Sequence, residues 1–269
     1  MKVLIISDME GVAGICRWNQ VNAGADGYEE GRRLYTEELN AAVRGAFEGG
    51  ASEVVVMDCH GAGGDRSFNS LIPDALDERC EFVVQHEWTG YTELLETGCD
   101  AALLVGQHAR AGAERGVLSH TVSSTRWHEL RFNGVAVGEV GINAALCGTW
   151  GCPVALVSGD DVVCAEAAEL LGPALRTVTV KQGLGRFSAR HVAPARARGM
   201  LETGVMQAVS RLRDAPVYDP GAPCTITVEL ATPDDADVYR HREGVTLTGP
   251  RTVESQAPRW WDAWRRLYL

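Results

Sequence analysis

Short hydrophobic runs alternate with helical patterns along the first 160 residues, and this alternation constrains the fold more than any other feature. Residues 2–7, 53–58, 81–85 and 101–105 have the composition of buried strands, and Tyr28 to Phe47 repeats its large apolar residues near the helical period. Strands separated by helices form βαβ units, whose strands pair in parallel. We therefore predict an α/β fold in which helices flank a mainly parallel sheet.

The middle and the end of the chain depart from this alternation. Asn133-Gly134 lies between two short strand patterns within residues 130–137, and this dipeptide is the strongest short signal for a β-hairpin. The hairpin would be an insertion into the α/β pattern. The other predicted elements are helices at residues 139–147, 165–171, 195–213 and 260–268, and strands at residues 154–158, 177–181 and 225–230.

The length of 269 residues allows one large domain or two modest lobes. The sequence contains no internal repeat and no low-complexity stretch that would mark a boundary. We expect a single catalytic unit over residues 1–269. Within it, residues 1–175 could form a metal-binding α/β lobe and residues 176–269 a smaller C-terminal α/β lobe.

The charge and the composition argue against several kinds of partner. A net charge of −11 and a pI near 5.1 oppose binding to nucleic acid or to an anionic membrane. No apolar run approaches the ~20 residues of a membrane helix, and residues 3–7 are too short for the core of a signal peptide. Eight cysteines without a C-x-x-C pair indicate reduced thiols. We expect a cytoplasmic protein.

Residue types that bind metals stand where several of the predicted strands end. Asp8 and Glu10 follow the first strand, His60 follows the second and His108 the fourth, while Glu139 opens a later helix. Ligand sites of α/β sheets form beyond the carboxyl ends of the strands, so these side chains can meet in one crevice. Carboxylate and imidazole ligands together suit zinc and its first-row neighbours. The sequence therefore predicts a hydrolytic metal site.

Each of these residues, taken alone, also has an ordinary structural explanation. Asp8 and Glu10 could cap a turn, and Glu139 could complement a helix dipole. A lone histidine at a strand end is more often a hydrogen-bonded structural residue. The combination favours a metal, because two adjacent carboxylates repel each other unless a cation or a proton intervenes.

The remaining histidines serve as comparisons. His86 also follows a strand and is the strongest rival ligand, but we assign it, with His128, His191 and His241, to structural or solvated positions. His120 differs because it lies within the apolar residues 117–122. Burial there would lower the imidazole pKa and favour a neutral base. A core histidine bonded to a backbone carbonyl explains the same pattern equally well.

Five motifs in this order resemble the DppA-type D-aminopeptidases, a family of zinc metallopeptidases. The motifs are Ser7-Asp8-Met9-Glu10-Gly11, Asp58-Cys59-His60, Gly106-Gln107-His108-Ala109-Arg110, Gly116-Val117-Leu118-Ser119-His120 and Val137-Gly138-Glu139-Val140-Gly141-Ile142-Asn143-Ala144. The similarity spans the whole chain and is strongest before residue 182. Cys59 and Thr121 depart from the family pattern, in which serine is usual at both positions.

The resemblance implies a set of roles for the residues of these motifs. It implies two zinc ions per subunit, a catalytic histidine at His120, small peptides as substrates and a ring-shaped homo-oligomer, often a decamer. The implied zinc ligands are Asp8, Glu10, His60, His108 and Glu139.

The function hypothesis is a dizinc aminopeptidase that removes an N-terminal D-residue, such as D-Ala, from small peptides or amides. Two alternatives stay open at this point. One is another metal-dependent amidase or deacylase that uses the same ions. The other is a ring protein that binds peptides without turnover.

Overall fold

The computed structural model describes residues 1–86 and 92–268, which form two sheets and the helices that pack on them. Six of the seven strands of the first sheet are parallel, and the last edge strand is antiparallel to its neighbour. In spatial order these strands are β3 (Glu81–Val83), β2 (Glu53–Asp58), β1 (Lys2–Ser7), β4 (Ala101–Gln107), β7 (Val154–Asp160), β8 (Arg176–Gly185) and β9 (Ser188–His191).

The second sheet is antiparallel and contains the predicted hairpin. Its strands are β11 (Val245–Leu247), β12 (Thr252–Ala257), β10 (Cys224–Leu230), β5 (Trp127–Phe132) and β6 (Val135–Val137). The helices are α1 (Tyr28–Glu48), α2 (Glu93–Thr97), α3 (Glu139–Thr149), α4 (Asp161–Leu171), α5 (Pro194–Val209), α6 (Pro233–Asp237) and α7 (Trp260–Tyr268).

The first sheet is covered on both faces, as expected for a parallel sheet. Side chains alternate along β1, so Val3 and Ile5 face a core shared with α1 and α5, whereas Leu4 and Ile6 face the opposite core. That opposite core contains α3, α4 and α7 and the inner face of the second sheet. The mainly parallel α/β architecture flanked by helices is therefore confirmed.

The strands of the two sheets interleave along the chain and do not follow the expected lobes 1–175 and 176–269. β8 and β9 follow residue 175 but complete the first sheet, whereas the hairpin β5–β6 precedes it and belongs to the second sheet. The hairpin is held by pairing of β5 with β10. Neither sheet is therefore built from one continuous part of the chain.

The predicted elements match the structure closely, with a few corrections. The bounds of β1, β2 and α7 are those predicted. The strand predicted at residues 81–85 ends at Val83, and the Gln85 amide donates to the Phe68 carbonyl instead. The helix predicted at residues 195–213 ends at Val209. In the part of the chain that the structure describes, no helix is long and apolar enough to cross a bilayer.

Candidate metal centre

The predicted ligands lie together at the point where the strand order of the first sheet reverses. The chain places β2 and β3 on one side of β1 and β4 on the other side, so the switch point of the sheet lies between β1 and β4. Asp8 and Glu10 come from the loop after β1 and His108 from the loop after β4. His60 follows β2 and Glu139 begins α3.

The loops after β1 and β4 touch each other through their backbones. The Gly11 amide donates to the Gly106 carbonyl at 2.8 Å, and the Asp8 amide donates to the Val105 carbonyl at 2.9 Å. Gly106 has a φ of 74°, and a Cβ at this position would lie 2.1 Å from the Asp8 carbonyl oxygen. Only glycine combines this left-handed conformation with so close an approach.

His60 faces both carboxylates of the first motif through one ring nitrogen. Its Nε2 donates to the Val21 carbonyl at 2.8 Å, because a carbonyl can only accept. Its Nδ1 then lies 3.1 Å from Asp8 Oδ1 and 3.1 Å from Glu10 Oε2. The hydrogen bond from Nε2 to the Val21 carbonyl fixes the orientation of the ring. A histidine that binds a metal through one nitrogen usually donates from its other nitrogen in this way.

His108 repeats this arrangement on the other side of Asp8. Its Nδ1 donates to the Ala109 carbonyl at 3.1 Å. Its Nε2 lies 3.2 Å from Asp8 Oδ2 and 3.4 Å from Glu139 Oε1. The two oxygens of Asp8 therefore face two different imidazoles, so this carboxylate is shared between two half-sites.

The donor atoms of this cluster suit a metal ion. Asp8, Glu10, His60 and His108 are each at most 5% exposed. Glu10 Oε2 and His108 Nε2 are buried without a hydrogen bond among the described residues, although charged neighbours lie close to both. An unsatisfied buried polar atom costs about 1–3 kcal/mol, which metal coordination would remove. Ligand atoms of Asp8, Glu10 and His108 lie within 4.8 Å of one another, as do those of His108, His120 and Glu139.

The charges of the cluster shift the pKa values of its members. Burial raises the pKa of the Asp8 carboxyl, but His108 and His60 outweigh burial and hold this pKa well below its usual value. Burial lowers the pKa of both imidazoles, but Glu10 beside His60 and Glu139 beside His108 outweigh it and raise both pKa values well above the usual value. Protons thus balance the carboxylates, and a metal would replace them.

His120 lies against the half-site of His108 and Glu139. The rings of His120 and His108 stack with centroids 3.9 Å apart. The Nδ1 of His120 donates to the Leu118 carbonyl at 2.9 Å, and its Nε2 lies 3.8 Å from Glu139 Oε1. Burial, followed by the charge of His108, lowers the pKa of His120. A backbone carbonyl therefore holds one nitrogen of His120, as the structural explanation predicts, and the other nitrogen faces the cluster. The catalytic role stays a prediction.

The backbone around His120 is strained. Leu118 and Val122 both have positive φ, at 51° and 61°, a conformation that is unfavourable for branched side chains. Such conformations persist where the surroundings enforce them, and they concentrate at functional sites. The amide of Val122 donates to Glu139 Oε1 at 2.7 Å, which ties this strained segment to the start of α3.

Two residues to which sequence reasoning gave no role bind the backbone that carries the candidate ligands. Asp58 Oδ1 accepts from the His60 amide and from the Tyr35 hydroxyl, both at 3.1 Å. The buried Nζ of Lys181 donates to three carbonyls of the loop after β1, at distances from 2.5 to 2.9 Å. Lys181 is one of two lysines in the chain. Its position within a predicted strand was the sequence signal that could have indicated a buried, structural role.

A cavity of about 120 Å³ adjoins the cluster. Its lining includes Asp8, Glu10, His60, His120 and Glu139. It also includes aromatic side chains of α7, to which sequence analysis assigned no role in the site. Burial and the Glu139 carboxylate raise the pKa of the Tyr268 hydroxyl in this lining, so the hydroxyl stays neutral.

The histidines assigned to structural or solvated positions lie outside the ligand clusters of the described residues. His86, His128 and His241 are exposed. His191 is half-buried, and its Nδ1 accepts from the Gly14 amide at 3.1 Å.

Two imidazoles and three carboxylates gathered at the switch point of an α/β sheet are typical of metal-dependent hydrolases. The family model of the D-aminopeptidases, a family of peptidases, matches residues 1–269. The chain belongs to this family, which confirms the resemblance and identifies the protein as a hydrolase.

Known relatives agree with this assignment. The D-aminopeptidase of Bacillus subtilis (strain 168) is 32% identical over 272 residues, which cover 100% of this chain and 96% of the relative. A solved structure, described as the Zn-dependent D-aminopeptidase DppA from Bacillus subtilis, a self-compartmentalizing protease, superposes with a TM-score of 0.91. It is 30% identical, and the match covers 99% of this chain and 95% of that one.

Proposed function

We propose that this protein is a dizinc D-aminopeptidase, which removes a D-residue of the D-Ala type from the free amino terminus of small peptides or amides. The observation that carries the proposal is the position of Asp8, whose two carboxylate oxygens face two different imidazoles. A shared carboxylate of this kind suits a pair of ions rather than one. The family and the zinc dependence named for the solved relative support the choice of metal and reaction.

The five ligands divide between two positions. Glu10 and His60 would hold one ion, His108 and Glu139 the other, and Asp8 would bridge them. The three carboxylates contribute −3 and two zinc ions would contribute +4, so the filled centre would be close to neutral. Zinc bound here would supply Lewis acidity and an activated water near neutral pH.

His120 is the proposed catalytic residue. Its Nδ1 is engaged by the Leu118 carbonyl, so Nε2 is the atom that can exchange a proton or form a bond with substrate. A lowered pKa keeps this nitrogen unprotonated at neutral pH. It can then act as a proton shuttle or as a nucleophile. The Trp18 ring contacts the same imidazole in a T-shaped arrangement, with centroids 5.5 Å apart.

We also propose a homo-oligomer, in keeping with the self-compartmentalizing relative. A ring, closed as a decamer in keeping with the family resemblance, would hold the substrate within an enclosed space. Native mass spectrometry of the zinc-loaded protein measures the number of subunits directly. A monomer at working concentration would contradict this part of the proposal. A cytoplasmic location belongs to the same proposal.

The experiment that tests the function compares D-Ala and L-Ala amides with one preparation whose zinc content is measured by mass spectrometry. We expect two zinc ions per subunit, preferred hydrolysis of the D-amide, and a loss of kcat of at least 100-fold in His120→Ala. His128→Ala is the matched control, because His128 is exposed and belongs to neither ligand cluster.

Three outcomes would contradict the proposal in different ways. Faster hydrolysis of the L-amide indicates another metal-dependent amidase. One zinc ion per subunit in a fully active enzyme would contradict the proposed dinuclear centre. Binding of peptides without turnover, unaffected by His120→Ala, indicates a peptide-binding protein.

A further inference from the structure

The segment that carries His120 is buried although it has no regular secondary structure. Residues 116–119 are all buried, so their amides cannot bond to bulk water. Buried amides need partners in the protein, which a helix or a strand supplies and an irregular segment must find elsewhere. Leu118 and Val122 also have positive φ, so the surroundings must hold this conformation. The position of the His120 ring therefore depends on the groups that bind the segment.

Two carboxylates bind amides on either side of His120. The Val117 amide donates to Asp160 Oδ2 at 2.7 Å, and the Val122 amide donates to Glu139 Oε1, also at 2.7 Å. Glu139 is a candidate zinc ligand, whereas Asp160 lies outside the ligand clusters of the described residues and does not line the cavity. Hydrogen bonds to an ionised acceptor are stronger than those to a carbonyl. Asp160 is thus a strong anchor for this segment that does not belong to the metal centre.

Asp160 is also the N-cap of helix α4. Its Oδ1 accepts from the amides of Val162 and Val163, at 3.0 and 2.8 Å. In the sequence, an aspartate directly before a helix indicates a cap and nothing more. The structure shows that the cap uses only one oxygen, which leaves Oδ2 for the Val117 amide. The residue is 1% exposed, so bulk water does not compete for either oxygen.

We propose that Asp160 is a positioning residue for His120 and that it acts by holding the Val117 amide. This inference rests on the proposed function, in which His120 is the catalytic residue. Val117 is three residues before His120, and the Nδ1 of His120 donates to the Leu118 carbonyl between them. Asp160 thereby fixes the backbone that sets the ring of His120 against the ring of His108.

Loss of this anchor affects the rate because it moves a reacting group. A buried Val117 amide without a partner is costly, so the segment would shift toward another acceptor or toward water. The shift would pass to His120 through only two intervening residues. A displacement of about 1 Å in a reacting group can lower a rate about 100-fold. Groups that bind the substrate elsewhere in the site would be affected less.

Asp160→Asn separates the two roles of this side chain. Asparagine is as good an N-cap as aspartate, but it has one oxygen and an amino group. The oxygen is expected to keep the two bonds to α4, which sets the amino group against the Val117 amide, donor against donor. Asp161→Asn is the matched control, because it removes the same charge at the adjacent position. In the described chain the Asp161 side chain accepts from one amide, that of Gly183, and asparagine can keep this bond.

The kinetic test uses zinc-loaded, full-length protein and the D-Ala amide. We expect Asp160→Asn to lower kcat about 10-fold or more with KM changed less than about 2-fold, and Asp161→Asn to keep both. In a His120→Ala background, Asp160→Asn should lower kcat further by less than about 2-fold, because a residue that acts through another has no additive effect. A full additional loss in that background would show a general structural effect and would overturn the inference.

Hydrogen exchange followed by mass spectrometry tests the anchor without turnover. We expect Asp160→Asn to accelerate exchange selectively in residues 117–122, because amides that open locally lose their protection. Unchanged exchange in this segment would contradict the inference, as would equal acceleration in Asp161→Asn.

A failure of the proposed function gives a different result. If the unaltered, zinc-loaded protein hydrolyses no D-amide, or if His120→Ala keeps full activity, the proposed function fails and the role of Asp160 fails with it. If the unaltered protein is active and His120→Ala is impaired while Asp160→Asn keeps its full kcat, only the role of Asp160 fails.

Discussion

Lys181 places a positive charge inside the protein at the point where the loop after β1 turns. Its Nζ donates to the carbonyls of Glu10, Val12 and Ile15, and the first of these belongs to a proposed zinc ligand. Burial lowers the pKa of Lys181 to about 8, and nearby carboxylates, first Asp160 and then Glu38, oppose the shift. The ammonium thus fixes the backbone that carries Glu10.

Replacement of this lysine by methionine keeps the volume of the side chain and removes the three donors. We expect Lys181→Met to lower the free energy of unfolding by about 2 kcal/mol or more, since a buried carbonyl left without a donor costs about 1–3 kcal/mol. The carbonyls of Glu10 and Ile15 lose this donor, whereas the Val12 carbonyl still accepts from the Ile15 amide. We also expect weaker zinc binding, measured by competition with a chromophoric chelator. Lys2→Met at the other lysine, which is half-buried and lies 3.5 Å from Glu53, is the control. Unchanged zinc affinity would limit Lys181 to a structural role.

Glu38 lies behind the same loop, where its Oε2 accepts from the Ala13 amide at 3.0 Å. Burial raises its pKa from 4.5 to about 7, against the opposing effects of this hydrogen bond and of Lys181. A carboxyl whose pKa is raised by folding binds its proton more tightly in the folded state. Its contribution to stability is therefore present below pH 4.5 and is lost as the pH rises through about 7.

Glu38→Gln removes this titration. We expect the stability of the variant, relative to the unaltered protein, to increase by about 3 kcal/mol as the pH rises from 4.5 to above 7, and then to level off. Denaturant unfolding of both proteins across this pH range measures the difference. A difference that stays constant with pH would show that Glu38 has an ordinary pKa in the folded protein.

The contact between the loops after β1 and β4 sets the geometry of the centre at the level of elements. Gly106 and Gly112 both have positive φ, at 74° and 77°. A Cβ at Gly106 would lie 2.1 Å from the Asp8 carbonyl oxygen, whereas a Cβ at Gly112 meets no atom of the described chain within 4 Å. The two glycines thus share the backbone conformation and differ only in the close approach.

Alanine at each position separates these two effects. We expect Gly112→Ala to cost about 1–2 kcal/mol, which is the penalty of the left-handed conformation. Gly106→Ala should cost clearly more and should also lower zinc content, because the carbonyl that must move belongs to Asp8. Unfolding curves and metal analysis of the two variants test this. Equal stability and equal zinc content would refute the role of the loop contact.

The sequence predicts elements well where hydrophobic periodicity is strong. β1 and β2 are continuous apolar runs, and their bounds follow from the sequence alone. β12 was missed because its inward positions include Ser255 and Ala257, so a buried strand lacks a hydrophobic alternation. The short β9 and β11 were missed because such strands depend on pairing with a neighbour that sequence patterns do not identify.

The site was predictable to the extent that its residues follow strands. His60, His108 and the Asp8 motif could be placed at one edge of the sheet by rule, because parallel strands end there together. The aromatic face of α7 could be recognised as amphipathic, but its contact with the metal centre depends on a packing between distant parts of the chain. No local pattern encodes that contact.

At the scale of the whole molecule, the proposed metal centre would link β1, β2, β4 and α3, which carry or precede its candidate ligands. We expect strong chelation to abolish hydrolysis and to lower Tm, and zinc addition to restore both. A ligand that binds only the folded state, as zinc would here, stabilises that state by about 4 kcal/mol when its free concentration is about 1,000 times the Kd. Calorimetric scans of chelated and reloaded protein measure the shift. Equal Tm values with and without chelator would count against a zinc centre that holds these elements together.

The interleaved sheets also impose an order of assembly during synthesis. His120 precedes β5 and Glu139 follows β6, and β5 acquires its second neighbour only when β10 has been made. Until then the hairpin has an open edge, which is a site for mispairing. The long-range pairing that closes this edge is slow to form. Ribosome-bound chains that end before residue 224 therefore leave β5 without this neighbour, although β5 lies between His120 and Glu139 in the sequence. We expect the proposed zinc centre to form only after the C-terminal strands have emerged.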